Sequence, residues 1–393
     1  MPAIDKCLNI DDIRRVAHRR LPRPVAAFLE GGAEDETTMA RNRSAFSQWA
    51  LLPRAMQDVG MVNPATRLLG QEVAWPFIVG PTGMPGLIDI AGDAAVARAA
   101  GETGALYVLS TMASQSIEDV AAAHRGPKAF QLYLFRDRGI TRELIQRARE
   151  AGYGALILTI DVQVPANRER DKRSGMTVPP RFGLGSLVDF ALHPRWCWDQ
   201  IVRKPVALAN FTGARAAPGM SLLSYINEQF DPRITWDDLA WVAAEWAGPL
   251  AVKGIMRPDD AVLAQKAGAG AVILSNHGGR QLDGGASPMD VLAETAERLG
   301  GAADIIVDGG IRRGTDILKA IALGAAGAMS GRVGLYGLAA GGEAGARQAM
   351  RLLRSEFDRN LALLGTPTLA QVGRDCIVPL ACPACPRALT SHR

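Results

Sequence analysis

Short apolar runs alternate along this chain with segments of helical periodicity. Most of the helical segments end in a glycine, a residue that suits the C-terminal cap of a helix. Near-continuous apolar strands that alternate with helices are typical of a parallel sheet covered on both faces, and eight such units predict a closed (β/α)8 barrel, the TIM-barrel fold. The predicted strands lie at 75–83, 105–110, 129–134, 155–162, 249–255, 271–278, 304–310 and 326–332.

Two segments interrupt this alternation. Residues 11–43 predict two short helices, broken around Pro22 and Pro24 and again by Gly31–Gly32, which would cap the barrel. Residues from about 163 to 235 are rich in Pro, Gly, Arg and aromatic residues and lack sustained periodicity. Because this stretch follows the fourth strand, we expect it to be an insertion on the catalytic face, where the strands of such a barrel end.

The chain continues beyond the eighth strand. Residues 333–365 predict a long pair of helices that closes the barrel, and residues from about 365 to 393 form a tail with a C-x-x-C motif at Cys382 and Cys385. This motif has no second cysteine pair or histidine cluster beside it, so we do not expect a metal site. We therefore expect a single domain over the whole chain, with the barrel at about 75–360.

Composition narrows the class of protein. With 48% hydrophobic and 21% charged residues among 393, the chain resembles an ordinary folded soluble protein. A formal charge of only +4, without a stripe of basic and aromatic residues, argues against nucleic-acid binding. The N-terminus lacks a cleavable apolar signal, and no apolar stretch is long enough to span a bilayer, so we expect a cytoplasmic protein.

Reactive side chains gather where the predicted strands end. In a (β/α)8 barrel these ends share one face, so side chains far apart in sequence are expected to meet there. Each residue alone would suit a structural role, such as a helix cap, but their joint occurrence across eight units indicates a site. They are Thr82, Gly83, Ser110, Gln131, Tyr133, Thr159, Asp161, Lys253, Ser275, His277, Arg280, Asp308, Arg312, Gly331 and Arg332.

The loop after the sixth strand carries the most informative motif, SNHGGRQLDGG. It places a base, His277, three residues before a fixed cation, Arg280, on a glycine-rich loop. A base and a cation so close together are the pair needed to deprotonate an anionic substrate. Because a histidine of ordinary pKa is a poor base for a carbon acid or an alcohol, a carboxylate that stabilises its charged form is expected nearby.

The loops after the seventh and eighth strands suit a phosphate group. In DGGIRRG, the glycine at Gly310 lets the main chain approach an anion, and Arg312 can add bidentate contacts. The next loop repeats the combination with Gly331 and Arg332. The other interpretation, tight turns with surface arginines, is weaker because both loops occur together.

These motifs resemble the FMN-dependent 2-hydroxy-acid oxidase and dehydrogenase family. The resemblance covers nearly the whole chain, from LEGGAEDE and GPTG through SNHGGRQLDGG and DGGIRRGTD to SGRVGLYGLAAGGE, and SNHGGRQLD is highly specific. Within the family, LEGGAEDE, GPTG, ALHPRWCWD and GLYGLAA look most like the mandelate dehydrogenase branch, and FDPRITWDDLAW is similar to the lactate dehydrogenases. The resemblance implies FMN as cofactor, oxidation of an (S)-2-hydroxy acid to the 2-oxo acid, and a homotetramer.

The resemblance also implies roles for the catalytic residues. His277 would accept the substrate's proton, and Asp161 would stabilise the resulting imidazolium. Arg280 and Arg168 would bind the substrate carboxylate, and Tyr133 would hydrogen-bond its hydroxyl or carboxylate oxygen. Whether the electrons leave with a carbanion or a hydride stays open.

The same resemblance implies the residues that hold FMN. Lys253 would lie beside the N1–O2 edge of the flavin, where a positive charge stabilises the reduced ring, and Asp308 would lie near the ribityl chain. The other expected contacts to FMN are Thr82, Gly83, Ser110, Gln131, Thr159 and Ser275, with Gly310, Arg312, Gly331 and Arg332 around the phosphate.

Three positions bear on the substrate. Phe28 stands where relatives have a tyrosine that helps to bind the carboxylate, so carboxylate affinity is expected to fall or the preferred substrate to differ. Gly83 replaces an alanine of many oxidases, and Met112 replaces a bulky tryptophan of glycolate oxidases. Both changes favour an aryl or long-chain 2-hydroxy acid, mandelate-like rather than glycolate.

The insertion bears on the electron acceptor. Its mixture of Trp, Phe, Arg and Lys resembles the segment that attaches mandelate dehydrogenase to the inner membrane, and a lid over the active site explains that composition equally well. A membrane-bound enzyme would pass electrons to a quinone, whereas a soluble oxidase would use oxygen. Two alternatives remain: a flavin-binding barrel that catalyses a different reaction, and a phosphate-binding barrel without catalytic activity.

Overall fold

The computed structural model describes residues 4–177, 180–203, 207–211 and 222–380. Its strands, numbered along the chain, are β1 (Trp49–Leu51), β2 (Thr66–Leu68), β3 (Gln71–Val73), β4 (Phe77–Val79), β5 (Leu106–Ser110), β6 (Lys128–Leu132), β7 (Ala155–Thr159), β8 (Leu250–Ile255), β9 (Ala271–Leu274), β10 (Asp304–Asp308), β11 (Gly327–Ser330) and β12 (Ile377–Pro379). β4 to β11 form a closed barrel of parallel strands, in which β11 pairs with β4. Each barrel strand lies within a predicted run or overlaps it closely, so the predicted (β/α)8 barrel is confirmed.

The barrel strands are apolar on both sides because both faces of the sheet are covered. Along β5, Leu106 and Val108 belong to a cluster of side chains from alternating positions of all eight strands, which fills the barrel interior. Their neighbours Tyr107 and Leu109 point the other way and pack against the surrounding helices. The near-continuous apolar pattern seen in the sequence thus reflects burial of both faces.

The helices surround the barrel and extend it at both ends of the chain. The described helices are α1 (Ile10–Arg20), α2 (Arg23–Glu30), α3 (Thr37–Ser44), α4 (Gly92–Thr103), α5 (Ile117–Ala123), α6 (Arg138–Glu150), α7 (Glu169–Ser174), α8 (Leu184–Ala191), α9 (Pro194–Trp198), α10 (Leu222–Gln229), α11 (Trp236–Trp246), α12 (Pro258–Lys266), α13 (Pro288–Leu299), α14 (Gly314–Ala322) and α15 (Gly331–Leu363). None of them has the length and apolar character needed to cross a bilayer.

The predicted glycine caps occur where the sequence places them. Gly104 has a φ of +71° directly after α4, and Gly152, Gly268 and Gly324 have φ of +74°, +104° and +104° shortly after α6, α12 and α14. In this left-handed region a glycine avoids the clash that a Cβ would make. These residues end the helices and return the chain to the next strand.

The N-terminal cap contains three helices, one more than predicted. α1 and α2 are separated at Leu21 and Pro22, as expected, and α3 follows the Gly31–Gly32 break. α1 is capped by Asn9, whose side chain accepts a hydrogen bond from the Asp12 amide. The additional helix matters for the site, because it brings the cap against the loop that follows β9.

Two further segments refine the prediction from sequence. The predicted C-terminal helical pair is α15, which is broken by non-helical backbone at Gly341 and Gly342. The region after β7, which lacks regular periodicity, nevertheless contains α7 to α10, none longer than eight residues. The C-x-x-C motif at Cys382 and Cys385 lies outside the described residues.

Candidate active site

His277 and Asp161 lie at the centre of the strand C-terminal face. His277 Nδ1 is 3.0 Å from Asp161 Oδ1, which joins the loop after β9 to the loop after β7. His277, Gly278 and Gly279 have φ of +59°, +64° and +79°. The left-handed conformation costs a non-glycine residue roughly 1–2 kcal/mol. Strain of this kind is concentrated at functional sites, where the surrounding structure holds the side chain in place.

Burial and charge set the protonation of this pair. Burial lowers the pKa of His277 below its ordinary value, although the Asp161 carboxylate partly opposes the shift. Burial raises the pKa of Asp161, but the charge and hydrogen bond of His277, together with Lys253, outweigh it and leave that pKa below its usual value. At neutral pH the pair is therefore a neutral imidazole beside an ionised carboxylate. This arrangement can accept a proton and stabilise the cation that results.

Two arginines lie beside the imidazole. Arg280 is half-buried and donates from Nη1 to the carbonyls of Phe28 and Gly31, at 3.0 and 2.6 Å. Arg168 Nε donates to the Arg280 carbonyl at 3.3 Å. Burial, together with the positive charge of Arg168 and of Arg332, lowers the pKa of Arg280. Since the two guanidinium groups repel each other, an anion bound between them would be stabilised.

Tyr133 is a further polar residue next to the two arginines and Asp161. Burial and the charge of Asp161 raise its pKa to about 12, so the phenol stays protonated and can donate a hydrogen bond. Its ring packs edge-on against Phe230 with centroids 5.1 Å apart. The predicted catalytic residues thus meet in one place although they come from three separate loops, after β6, β7 and β9.

The strands β6 and β7 each carry one buried polar side-chain atom that has no partner among the described residues. They are Nε2 of Gln131 and Oγ1 of Thr159. Ser110 Oγ donates to Gln131 Oε1 at 3.1 Å, so the orientation of that amide is fixed and its Nε2 is left over. Leaving such an atom unsatisfied costs about 1–3 kcal/mol. A ligand with polar atoms on a flat edge, as FMN has, fits these two groups.

Lys253, Ser275 and Asp308 form a buried charged cluster next to these atoms. Lys253 Nζ lies 2.9 Å from both Ser275 Oγ and Asp308 Oδ2, and Ser275 Oγ lies 2.8 Å from Asp308 Oδ2. Burial lowers the pKa of Lys253, but the charges of Asp308 and Asp161 outweigh burial and raise it. The ammonium group therefore stays charged inside the barrel, as stabilisation of an anionic reduced ring requires.

The predicted phosphate residues Arg312 and Arg332 differ in their contacts. Arg312 has a buried Nε without a partner in the described part of the chain, and its guanidinium lies 5.3 Å from the Tyr336 ring centroid. Arg332 donates to the carbonyls of Gly278 and Gly31, at 3.0 and 2.9 Å. Arg332 therefore connects the end of α2 to the loop after β9, a structural contact that the sequence did not predict.

The glycines of the two predicted phosphate loops lie close to neighbouring segments of the chain. Gly310 has a φ of +82°, and a Cβ there would be 2.0 Å from the Asn42 carbonyl oxygen. A Cβ on Gly331 would be 2.8 Å from Thr82 Cγ2. At both positions a side chain would displace the neighbouring segment, so only glycine allows these loops to approach α3 and the loop after β4.

Gly83 lies opposite Met112 on the loops after β4 and β5. A Cβ on Gly83 would be 3.5 Å from the Met112 Cβ, an ordinary contact, so steric crowding does not require glycine here. The two loops are joined by a hydrogen bond from the Met84 amide to the Met112 carbonyl at 2.8 Å. A methyl group would therefore fit at this position.

Sequence reasoning missed three residues that organise the site. Gln281 Nε2 donates to the Asp161 carbonyl at 2.6 Å, while its Oε1 is buried without a partner among the described residues. Asn42 and Asn276 exchange two side-chain hydrogen bonds of 2.7 and 2.8 Å. Gln281 and Asn276 both belong to the SNHGGRQLD motif, which was the available signal, whereas nothing marks Asn42.

The insertion exposes an unusual apolar surface near this face. Leu184, Leu187 and Val188 of α8, with Leu192, are exposed by 83%, 53%, 62% and 72%, and we call these four residues the α8 apolar face. The buried residue of α8 is instead polar, Asp189. A helix with its charge inward and its leucines outward is suited to an apolar environment rather than to water.

Comparisons with known proteins agree with this geometry. A family model for FMN-dependent dehydrogenases matches residues 17–379. The chain is 42% identical over 366 residues to a putative L-lactate dehydrogenase of Mycobacterium tuberculosis, covering 93% of this chain and 87% of the relative. It is 40% identical over 367 residues to the (S)-mandelate dehydrogenase of Pseudomonas putida, covering 93% of each. The solved structure of the monotopic membrane protein (S)-mandelate dehydrogenase matches with a TM-score of 0.90 at 39% identity, covering 95% of this chain and 100% of that one. The protein therefore belongs to the FMN-dependent dehydrogenase family.

Proposed function

We propose that this enzyme oxidises an (S)-2-hydroxy acid to the 2-oxo acid and that His277 is the base. The observation that carries this assignment is the neutral, half-buried imidazole held 3.0 Å from an ionised Asp161, beside two arginines suited to a carboxylate. Relatives named for lactate and mandelate oxidation support the substrate class.

The His277–Asp161 pair performs the proton transfer. The neutral imidazole takes a proton from the substrate, and the carboxylate at Nδ1 stabilises the imidazolium that forms. General-base catalysis of this kind contributes roughly 10²–10⁴ to a rate. Because Nδ1 is engaged by Asp161, Nε2 is the nitrogen that faces the substrate.

Arg280, Arg168 and Tyr133 bind and orient the substrate. The carboxylate lies between the two guanidinium groups, where it relieves their mutual repulsion. Tyr133, protonated because its pKa is about 12, donates to an oxygen of the substrate. These contacts place the substrate hydroxyl within reach of His277.

FMN, when bound, supplies the two-electron acceptor for the reaction. The unpaired atoms of Gln131 and Thr159 would hold its polar edge, together with Thr82, Gly83, Ser110 and Ser275. Lys253 would face the N1–O2 edge, Asp308 the ribityl chain, and Gly310, Arg312, Gly331 and Arg332 the phosphate.

A mandelate-like acid is the proposed substrate, with lactate as the smaller alternative. Gly83 carries no side chain and faces Met112, a flexible residue that can adapt to a larger group. An aryl or long-chain side group would occupy the space between the loops after β4 and β5. The relative named (S)-mandelate dehydrogenase supports this choice.

The electron acceptor is proposed to be a membrane quinone, reached by peripheral association with the inner face of the cell membrane. The α8 apolar face supports this, as does the description of the solved (S)-mandelate dehydrogenase as a monotopic membrane protein. An oxygen-using oxidase is the alternative, and it requires no membrane contact.

Anaerobic addition of racemic mandelate or L-lactate to the purified yellow protein tests the proposal. Bleaching of the flavin absorbance by either acid is expected, and faster bleaching by mandelate would identify the aryl substrate. Bleaching by NADH or NADPH alone would indicate a flavin barrel of different chemistry. Rapid peroxide formation in air, by protein found entirely in the soluble fraction, would favour the oxidase over the quinone-linked enzyme.

A further inference from the structure

We propose that Tyr336, held in place by Glu30, is a positioning residue that orients Arg312 for binding the phosphate group of FMN. This inference rests on the phosphate site proposed above and adds the residues that prepare it. Glu30 ends α2 in the N-terminal cap, and Tyr336 lies near the start of α15, 306 positions later. The cap would therefore take part in binding the cofactor.

Three side chains in contact join α2 to the loop after β10. Tyr336 is fully buried, and its hydroxyl donates to Glu30 Oε2 at 3.0 Å. Arg312 Nη2 donates to the same hydroxyl at 3.5 Å, and the Arg312 guanidinium carbon lies 5.3 Å from the centroid of the tyrosine ring. Hydrogen bonds in a chain polarise one another, so the carboxylate makes this hydroxyl a better acceptor for Arg312.

Two residues of α1 hold the Glu30 carboxylate in one orientation. Arg14 Nε donates to its two oxygens at 3.1 and 3.0 Å, and His18 Nε2 lies 2.9 Å from Oε2. Burial raises the pKa of Glu30, but the hydrogen bonds from His18 and Arg14 outweigh burial and leave that pKa below its usual value. The carboxylate is therefore an ionised, fixed acceptor, which in turn fixes the hydroxyl of Tyr336.

The phenol lets Glu30 orient Arg312 without cancelling its charge. Arg313, the next residue, shows the alternative, because its guanidinium forms an ion pair directly with Glu356. Arg312 Nε is instead buried without a partner among the described residues. A direct ion pair must be broken before a phosphate can bind, whereas a hydrogen bond to a neutral hydroxyl leaves the positive charge available to an anion.

Glu30 also contacts the second phosphate arginine, through its backbone. Arg332 Nη2 donates to the Glu30 carbonyl at 3.2 Å, and Arg332 lies one turn before Tyr336 on α15. Burial lowers the pKa of Arg332, and the positive charge of Arg312 acts in the same direction. The contacts with Glu30 and Tyr336 thus hold two guanidinium groups that repel each other, and a site organised in advance binds its anion more tightly.

Flavin titration of the full-length protein tests this positioning role. Protein freed of bound flavin is titrated with FMN and with riboflavin, which has the same ring system but no phosphate. The ratio of the two dissociation constants gives the FMN preference. Tyr336→Phe removes only the hydroxyl and should lower this preference about fivefold, the contribution of one hydrogen bond, with riboflavin affinity unchanged. Glu30→Gln, which leaves Tyr336 an uncharged acceptor, should lower it by a smaller factor.

A double variant shows whether Tyr336 acts through Arg312. Arg312→Gln removes the guanidinium and should lower the FMN preference by about tenfold or more, because hydrogen bonds to charged groups are the stronger ones. Adding Tyr336→Phe to Arg312→Gln should then cause no further loss. A full additional loss in the double variant would overturn the positioning role.

Tyr153→Phe is the matched control. Tyr153 is also buried, its hydroxyl donates to the Ile117 carbonyl at 3.0 Å, and Lys128 Nζ lies 5.8 Å from its ring centroid. It lies just before β7, at the strand N-terminal end of the barrel, so its FMN preference should match that of the wild type. An unchanged preference in Tyr336→Phe, or an equal loss in Tyr153→Phe, would overturn the inference.

The same titrations separate this inference from the proposals on which it rests. An unchanged FMN preference in Arg312→Gln would overturn the phosphate site itself. A loss in Arg312→Gln without one in Tyr336→Phe would overturn only the positioning role. Flavin bleaching by the hydroxy acid, measured on the wild-type holoenzyme, tests the catalytic proposal separately.

Discussion

The ring of Phe28 lies 5.3 Å from the guanidinium carbon of Arg280, and Arg280 donates a hydrogen bond to the Phe28 carbonyl. The cap helix α2 therefore contacts the proposed carboxylate-binding arginine through both its backbone and an apolar side chain. Because a phenyl ring cannot donate a hydrogen bond, the Phe28 side chain contributes only shape and cation–π attraction to this side of the proposed substrate site.

Phe28→Tyr is expected to strengthen substrate binding. A hydroxyl at this ring edge can donate to the substrate carboxylate, a gain of about 1 kcal/mol or roughly fivefold in KM, with kcat little changed. Steady-state kinetics with the best hydroxy acid measures the effect. Phe28→Leu, which removes the ring without adding a hydroxyl, should not lower KM, and an unchanged KM in Phe28→Tyr would show that the carboxylate binds elsewhere.

The pH dependence of flavin bleaching should report the His277 pKa. Only the neutral imidazole accepts a proton, so the rate should rise with pH and level off above a pKa that burial has lowered below 6.5. Asp161→Asn removes the charge that raises this pKa, so the rising limb should move to lower pH while the plateau rate falls. A limb that moves to higher pH in Asp161→Asn would contradict the assigned pair.

Asn42→Ala should destabilise the contact between the N-terminal cap and the loop after β9. The variant removes two hydrogen bonds of 2.7 and 2.8 Å and leaves buried amide groups of Asn276 without those partners, a cost of about 1–3 kcal/mol. Denaturant unfolding measures the change. Because the two amides hydrogen-bond to each other, the losses of unfolding free energy in Asn42→Ala and Asn276→Ala should sum to more than the loss in the double variant. Strict additivity would argue against a direct pair.

Gly310→Ala should cost more stability than Gly152→Ala. Both glycines have positive φ, but a Cβ at Gly310 would meet the Asn42 carbonyl at 2.0 Å, whereas nothing lies within 4 Å of one at Gly152. Gly152→Ala should therefore lower the free energy of unfolding only by the cost of a left-handed backbone at a non-glycine residue, roughly 1–2 kcal/mol. Gly310→Ala should lose more and also bind FMN more weakly, as measured by denaturant unfolding and by FMN titration of the apoprotein. Equal losses would mean that the close approach to α3 is unimportant.

The barrel could be predicted from sequence because its strands are buried on both faces, so each appears as an apolar run followed by polar residues. The convergence of Asp161 and His277 followed from the same geometry, since strand C-termini share one face. The cap–loop contact could not be predicted, because Asn42 and Asn276 are separated by 234 positions and an asparagine has many uses.

The orientation of α8 was equally inaccessible to sequence reasoning. Periodicity identifies a leucine-rich side of a helix, and such a side is normally buried. Here the inward residue is Asp189, whose carboxylate accepts from the Arg23 amide and whose carbonyl accepts from His193 Nδ1 at 2.7 Å. Only the positions of those partners determine that Leu184 and Leu187 face outward.

His277→Gln tests the central assignment most directly. The variant keeps a polar side chain of similar size but cannot act as a base, so it should bind FMN and remain yellow. Anaerobic stopped-flow mixing with the substrate should show bleaching slowed by roughly 10²–10⁴ or abolished. Bleaching at the wild-type rate would contradict the role of His277 as the base.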